Sequence, residues 1–202
     1  EFETLARRLD GEKSVAGIEV NISCPNVKHG GKGLKTGLIA QDPKATYAAV
    51  KAVRRCTQKP LITKLSPNVT DICRIALAAQ DAGSDAVALI NTLQGMSIDV
   101  VTRRPKIAMA AGGLSGPAIR PVAVRMVWQV FQQVRIPIVG MGGIMDAASA
   151  LEFILAGATA VSVGTANFIN PSASGEIATG IAAYLARNRI SGIKELIGSV
   201  VL

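Results

Sequence analysis

Short runs of apolar and β-branched residues begin near Ile18, Leu61, Ala86, Ile136 and Ala160, and each is followed by a loop and a segment whose apolar positions return with helical period. The helical segments cover about 43–56, 70–82, 117–134, 146–157 and 174–189, with a short last one near 191–200. Asp42-Pro43, Thr70-Asp71, Gly116-Pro117 and Asp146 stand where these helices open. Such residues accept from, or do without, the unpaired N–H groups of a first turn. Gly83 and Gly157 each follow a helix and precede a strand, the place for a left-handed cap. Strands alternating with helices in this way predict an α/β fold with a parallel sheet covered by helices.

A doubly wound sheet and an eightfold barrel both satisfy that alternation, and the end of the chain decides between them. Ile136-Pro-Ile-Val-Gly-Met-Gly-Gly143 is followed, one helix later, by Ala160-Val-Ser-Val-Gly-Thr165. Two consecutive strands therefore finish in small residues whose backbone N–H groups can cradle a phosphate, a device that recurs after strands seven and eight of (β/α)8 TIM barrels. A Rossmann fingerprint is absent, since no Gly-x-Gly-x-x-Gly opens a helix in the first strand-helix unit. The five strands are then numbers four to eight of a barrel. A whole barrel takes on the order of 250 residues, so the expectation is that residues 1–202 form the C-terminal part of a single barrel domain, with strands one to three outside it.

Composition narrows the function. The chain has 202 residues, 49% of them hydrophobic, and a formal charge of +8. Its basic residues are scattered along helices and it has few aromatics to stack on bases, which argues against nucleic acid and for an acidic small molecule. No apolar run reaches 18 residues and no signal-peptide core opens the sequence, so no membrane span is expected and a soluble, cytoplasmic protein is. Cys24, Cys56 and Cys73 form no Cys-x-x-Cys pair and no ligand cluster with His29, so neither a disulfide framework nor a metal site is indicated.

The strand ends carry the candidate chemistry. Asn21-Ile-Ser-Cys-Pro-Asn26 places the thiol of Cys24 and two carboxamides after the first apolar run. The alternative is a buried strand-end cysteine. The next strand ends in Thr63-Lys64-Leu-Ser-Pro-Asn68, where a lysine in an apolar strand is costly without an anion to meet. A rim position or a structural carboxylate would serve it instead of a ligand. The third strand ends in Ile90-Asn91-Thr92, a further amide and hydroxyl. A mouth rich in amides suits a planar heterocycle bearing imide groups.

Taken together, Asn21-Ile-Ser-Cys-Pro-Asn-Val-Lys-His-Gly-Gly31, Lys64-Leu-Ser-Pro-Asn-Val-Thr70, Ile90-Asn-Thr-Leu93, Gly112-Gly-Leu-Ser-Gly-Pro-Ala-Ile119, Gly140-Met-Gly-Gly143 and Val163-Gly-Thr-Ala-Asn167 resemble the dihydroorotate dehydrogenases of class 1, most of all the 1B subgroup. The resemblance runs from about residue 15 to the C-terminus. It implies oxidation of dihydroorotate to orotate with FMN as cofactor. Cys24 would be the base that takes the C5 proton, a role that needs the thiolate, which Lys28 and His29 would favour. Lys64 would contact the flavin ring, Ile90 would line it, and Gly116, Gly142, Gly143, Gly164 and Thr165 would hold the ribityl phosphate end. Asn21 would touch flavin and substrate, while Asn26, Asn91 and Thr92 would read the pyrimidine. The 1B likeness further implies a homodimer joined to an electron-transfer subunit carrying FAD and an iron–sulfur cluster, a heterotetramer passing electrons to NAD. The three cysteines of this chain cannot ligate such a cluster.

The loop between Gly31 and Asp42 is several residues longer than the 1B pattern and resembles the dihydropyrimidine dehydrogenases, which reduce uracil and thymine. Those have His where Asn26 stands here, and the Asn favours orotate chemistry. Two other function classes remain open at this point. A non-redox phosphate-binding barrel would use carboxylates at its strand ends, where this sequence places none. An inactive barrel fragment, weakly stable because of its open sheet edges, is the third.

Overall fold

The computed structural model describes residues 1–23 and 39–201. Helix α1 (Phe2–Asp10) precedes strand β1 (Ile18–Asn21), and α2 (Pro43–Arg54), β2 (Leu61–Lys64), α3 (Ile72–Asp81) and β3 (Ala86–Leu89) follow. An excursion then carries β4 (Leu93–Gly95), β5 (Ile98–Asp99), β6 (Arg104–Pro105) and β7 (Gly112–Leu114). The alternation resumes with α4 (Arg120–Phe131), β8 (Ile138–Met141), α5 (Ala147–Leu155), β9 (Ala160–Ser162), α6 (Ala166–Ile169) and α7 (Ala173–Arg187).

The main sheet is parallel and runs β1-β2-β3-β8-β9, in the order in which its strands occur in the chain. A doubly wound sheet reverses direction at a switch point. A sheet that never reverses, joined by right-handed crossovers, keeps its helices on one face, as a barrel wall does. Two antiparallel pairs, β4 with β7 and β5 with β6, stand apart from it.

Register separates the two faces of the wall. Ile18, Val20, Leu61, Thr63, Val87, Leu89 and Ile138 point to the helices and are buried. Glu19, Asn21, Ile62, Lys64, Val139, Met141, Ala160 and Ser162 alternate with them on the opposite, lumen face, where they are exposed or half-buried. Register with Leu89 puts Gly140 on the helix-facing side, and Phe153 of α5 leaves no room for a side chain there: a Cβ would lie 2.7 Å from the ring. Phe153 is itself fully buried.

Helix starts follow the capping chemistry. Asp42 accepts from the Lys44 N–H, Asp71 from the Cys73 N–H, and Asp146 forms a reciprocal box with Ser149. Gly83 and Gly157 take φ of 102° and 119°, as left-handed caps do. The segment 117–134 departs from the expected single helix: residues Pro117–Ile119 form a 3-10 turn and α4 starts at Arg120. Pro121 has no N–H to give to a carbonyl one turn earlier, so it is accommodated only in the first turn of an α-helix. Sequence periodicity also passed over α1 and the 93–114 excursion altogether.

Candidate active site

The carboxyl ends of the parallel strands converge on a cavity of about 190 Å³. Lys64 from the end of β2, Ile90, Asn91 and Thr92 after β3, Gly142 and Gly143 after β8, and Gly164 and Thr165 after β9 line it together with Gly116. Nine of the residues singled out from sequence are thus brought to one wall. Asn21 lies outside the lining and reaches it through Ser23, which accepts from Asn91 Nδ2 at 2.8 Å and donates to Asn21 Oδ1 at 2.8 Å. Cys24 and Asn26, with Lys28, His29 and most of the long loop, lie outside the described residues.

One half of the cavity is backbone. Gly116, Gly142 and Gly143 have φ of 86°, 123° and 85°, a region costly to any residue with a Cβ. At Gly143 a Cβ would also lie 2.7 Å from the Gly116 carbonyl oxygen and 2.9 Å from Arg120 Cβ, so the turn after β8 nests against the start of α4 only because it is bare. At Gly164 a Cβ would meet nothing within 4 Å, so that glycine borders open space. The N–H groups of Gly116, Gly142, Gly143, Gly164 and Thr165 are claimed by no acceptor among the described residues. Thr165 Oγ1 donates to Ser115 Oγ at 3.1 Å and ties the turn after β9 to the segment that leads into α4. Amides converging from several turns form a concavity suited to an anion such as phosphate.

The other half is side chain. Asn68 supports it from behind: its Nδ2 donates to the Thr92 carbonyl at 3.0 Å and its Oδ1 accepts from the Gln94 N–H at 2.9 Å. Lys64, with 23% of its side chain exposed, meets a carboxylate within the chain, Glu19 Oε1 at 3.7 Å. The sequence placed no carboxylate at a strand end. Glu19 stands two positions before the end of β1, on the lumen face, and the register of β1 against β2 is what reveals it. Ser115, Met141, Ile144, Met145 and Ser162 also line the cavity and were not singled out. For Ser162 the signal was present, since period-two alternation through Ala160-Val-Ser-Val puts it on the same face as Ala160.

Bare turns, a lysine and a wall of amides at the carboxyl ends of sequentially ordered strands define a barrel-type binding site for an anionic small molecule. The model of the dihydroorotate dehydrogenase family matches residues 1–185, and the chain belongs to that family. It is 59% identical over 200 residues to a protein of Geobacter metallireducens and 61% identical over 200 residues to one of Geotalea daltonii, each named the catalytic subunit of dihydroorotate dehydrogenase B (NAD(+)). A protein of the same name from Citrifermentans bemidjiense is 55% identical over 202 residues. The first two alignments take in 99% of this chain and 64% of each relative, so the chain spans just under two thirds of their length. Membership of the family implies a flavin cofactor, and the unclaimed amides, the glycine cradle and the lysine beside it are a donor set that fits one. Among the described residues no helix is long and apolar enough to cross a membrane.

Proposed function

We propose that this chain carries the flavin and pyrimidine site of an enzyme that oxidises dihydroorotate to orotate in pyrimidine biosynthesis. The observation that carries the reading is the convergence of Lys64, Asn91 and Thr92 with the glycine turns at 116, 142–143 and 164 on one cavity. FMN is the flavin we assign, because it ends in a single phosphate and one nest of amides is there to receive it. When bound, FMN supplies the acceptor for the hydride that leaves C6 of dihydroorotate as the C5–C6 double bond forms.

The chain's own residues divide the remaining work. The amides of Gly116, Gly142, Gly143, Gly164 and Thr165 anchor the phosphate end. Lys64 brings a positive charge to the ring, where negative charge accumulates on reduction, and Ile90 gives the ring an apolar surface. Asn21, Asn26, Asn91 and Thr92 hold the pyrimidine by its polar edge. Cys24 takes the C5 proton as thiolate; the support for this role is its place in the Asn-Ile-Ser-Cys-Pro-Asn turn after β1.

The names of the relatives support NAD as final acceptor and a companion subunit; the 1B resemblance of the sequence is what gives that companion FAD and an iron–sulfur cluster and pairs the catalytic chains as a homodimer within a cytoplasmic heterotetramer. The greater length of the relatives supports reading this chain as part of a longer barrel, in which further strands cover the lumen face of Glu19, Lys64 and Ser162. The test is an anaerobic visible spectrum of the FMN-loaded protein mixed with dihydroorotate. Bleaching of the flavin, slowed by about two orders of magnitude or more in Cys24→Ser, is expected for loss of a general base. A flavin that stays oxidised with dihydroorotate, or a variant as fast as the parent, would overturn the assignment.

A further inference from the structure

We infer that Asn68 is a positioning residue for Thr92: its carboxamide takes the place of a strand edge behind the cavity wall and holds Thr92 toward a ligand in one orientation. The inference rests on the reading of Thr92 as a residue that meets the pyrimidine. Asn68 itself stands behind the lining, in the turn after β2.

The need for such a residue comes from Pro67. Alternate residues of a parallel strand bond to the same neighbour. On the β3 side of β2, the Leu61 carbonyl accepts from the Asp85 N–H at 2.8 Å. Two steps beyond Thr63, the Leu65 N–H donates to the Ala88 carbonyl at 2.8 Å and the Leu65 carbonyl accepts from the Asn91 N–H at 3.0 Å. The next donor on this edge falls due at residue 67, a proline, which has no N–H. The Asn68 side chain supplies one instead. Its Nδ2 donates to the Thr92 carbonyl at 3.0 Å, and its Oδ1 accepts from the Gln94 N–H at 2.9 Å. In extended backbone a carbonyl and the N–H two residues on face the same edge, so one planar amide spans both as a peptide of a neighbouring strand would.

The orientation of this amide is set by the main chain. A half-turn would put its oxygen against the Thr92 carbonyl and its NH₂ against the Gln94 N–H, and neither partner can exchange roles. Asn68 is in turn held in place from its own side. Its N–H and its Nδ2 both donate to Oγ of the buried Ser66, at 3.2 and 3.3 Å, and its carbonyl accepts from Gln41 Nε2 at 3.0 Å. Thr92 has its remaining contacts within its own segment. Its N–H donates to Oδ1 of the adjacent Asn91 at 2.8 Å, and its side chain lies over Gly113, where a Cβ would come within 2.7 Å of Thr92 Cβ. Among the described residues, the Asn68 amide is what joins residues 92–94 to the turn after β2. Thr92 lines the cavity at the point where the chain leaves the barrel wall, so this tie sets where its hydroxyl stands.

The test measures orotate binding to FMN-loaded protein, by the change in flavin absorbance, in Asn68→Ala, Asn68→Asp, Thr92→Val and the double variant Asn68→Ala/Thr92→Val. Thr92→Val should bind orotate about fivefold more weakly, the loss of one neutral hydrogen bond. Asn68→Ala should lose about as much, and the double variant no more than Thr92→Val alone, because the two act through one contact. Asn68→Asp keeps the shape but has no hydrogen to give, and should match Asn68→Ala. Given a loss in Thr92→Val, parent-like binding in Asn68→Ala or Asn68→Asp, or losses that add in the double variant, would overturn the inference. A second measurement needs no ligand: the NMR order parameter of the Thr92 γ-methyl should be that of a rigid side chain in the parent and fall in Asn68→Ala. An unchanged order parameter would also overturn it. A fall in the order parameter together with parent-like orotate binding in Thr92→Val would leave Asn68 as the residue that positions Thr92 and remove Thr92 from the pyrimidine site instead.

Discussion

Lys64 Nζ and Glu19 Oε1 lie 3.7 Å apart on the lumen face of adjacent parallel strands, a lysine of the cavity wall held by a carboxylate one step deeper along the sheet. The pair is partly open to solvent, and exposed pairs of this kind contribute at most about 1 kcal/mol to stability. Glu19→Gln is accordingly expected to move the urea-unfolding free energy by no more than that. Lys64→Met has a different consequence. A charge-assisted hydrogen bond is worth about 1.5–3 kcal/mol, so FMN should bind roughly ten- to a hundredfold more weakly, as read by quenching of flavin fluorescence. Equal binding would remove Lys64 from the cofactor site.

Gly143 and Gly164, one from each of the last strand-end turns, should respond differently to a methyl group. Gly143→Ala puts a Cβ into the Gly116 carbonyl at a φ of 85°, and a cost of about 1–3 kcal/mol in thermal unfolding is expected from the backbone alone. Gly164→Ala meets nothing within 4 Å and should change stability by less than about 0.5 kcal/mol. A loss of FMN affinity in Gly164→Ala at unchanged stability would mark that backbone as ligand-facing.

The capping box at Asp146 gives a pH dependence of known sign. Hydrogen bonds from the backbone N–H and then the hydroxyl of Ser149 hold the Asp146 carboxyl below its usual range, with the charge of Arg120 adding to them. A carboxyl depressed in the folded state stabilises fully above its unfolded value of about 3.9, and the contribution fades as pH falls through the lower folded value. Asp146→Ala should therefore cost about 1 kcal/mol at pH 7, and the gap between variant and parent should close below pH about 4. A gap that persists in acid would show that the cap acts by packing.

Strand-helix alternation, the caps at Asp42, Asp71 and Asp146, and the glycine turns were legible because each is a local property: a period, a side chain that reaches its own helix, a φ that only glycine takes readily. What was not legible is relational. Glu19 reads as one polar position in a strand until the register sets it beside Lys64. The strand expected from Ile136 begins at Ile138, after Pro137. Helix α1 buries Ala6 alone among its residues, yet Phe2, Leu5, Ala6 and Leu9 stand at helical spacing, a local signal that was present and was passed over. The excursion between residues 93 and 114 is built from pairings of two and three residues, shorter than any window in which alternation can be counted. Its turns include Arg103 and Ala110 at φ of 57° and 63°, which no residue type announces.

That excursion leaves the barrel wall at Thr92 and returns at Ser115, both of which face the cavity, and the pairing of Leu93 with Leu114 closes the gap between them. Everything distal to Gly95 and Gly112 hangs from this single ladder, including Met96, Val100, Val101 and Met109, whose side chains are largely exposed. The insertion is thus a detachable module on a structural hinge-pin. Replacing residues 96–111 by an Asn-Gly turn, which suits a two-residue hairpin, should leave FMN binding intact while removing most of the exposed apolar surface of this segment, and the resulting stub is a natural graft point for other loops.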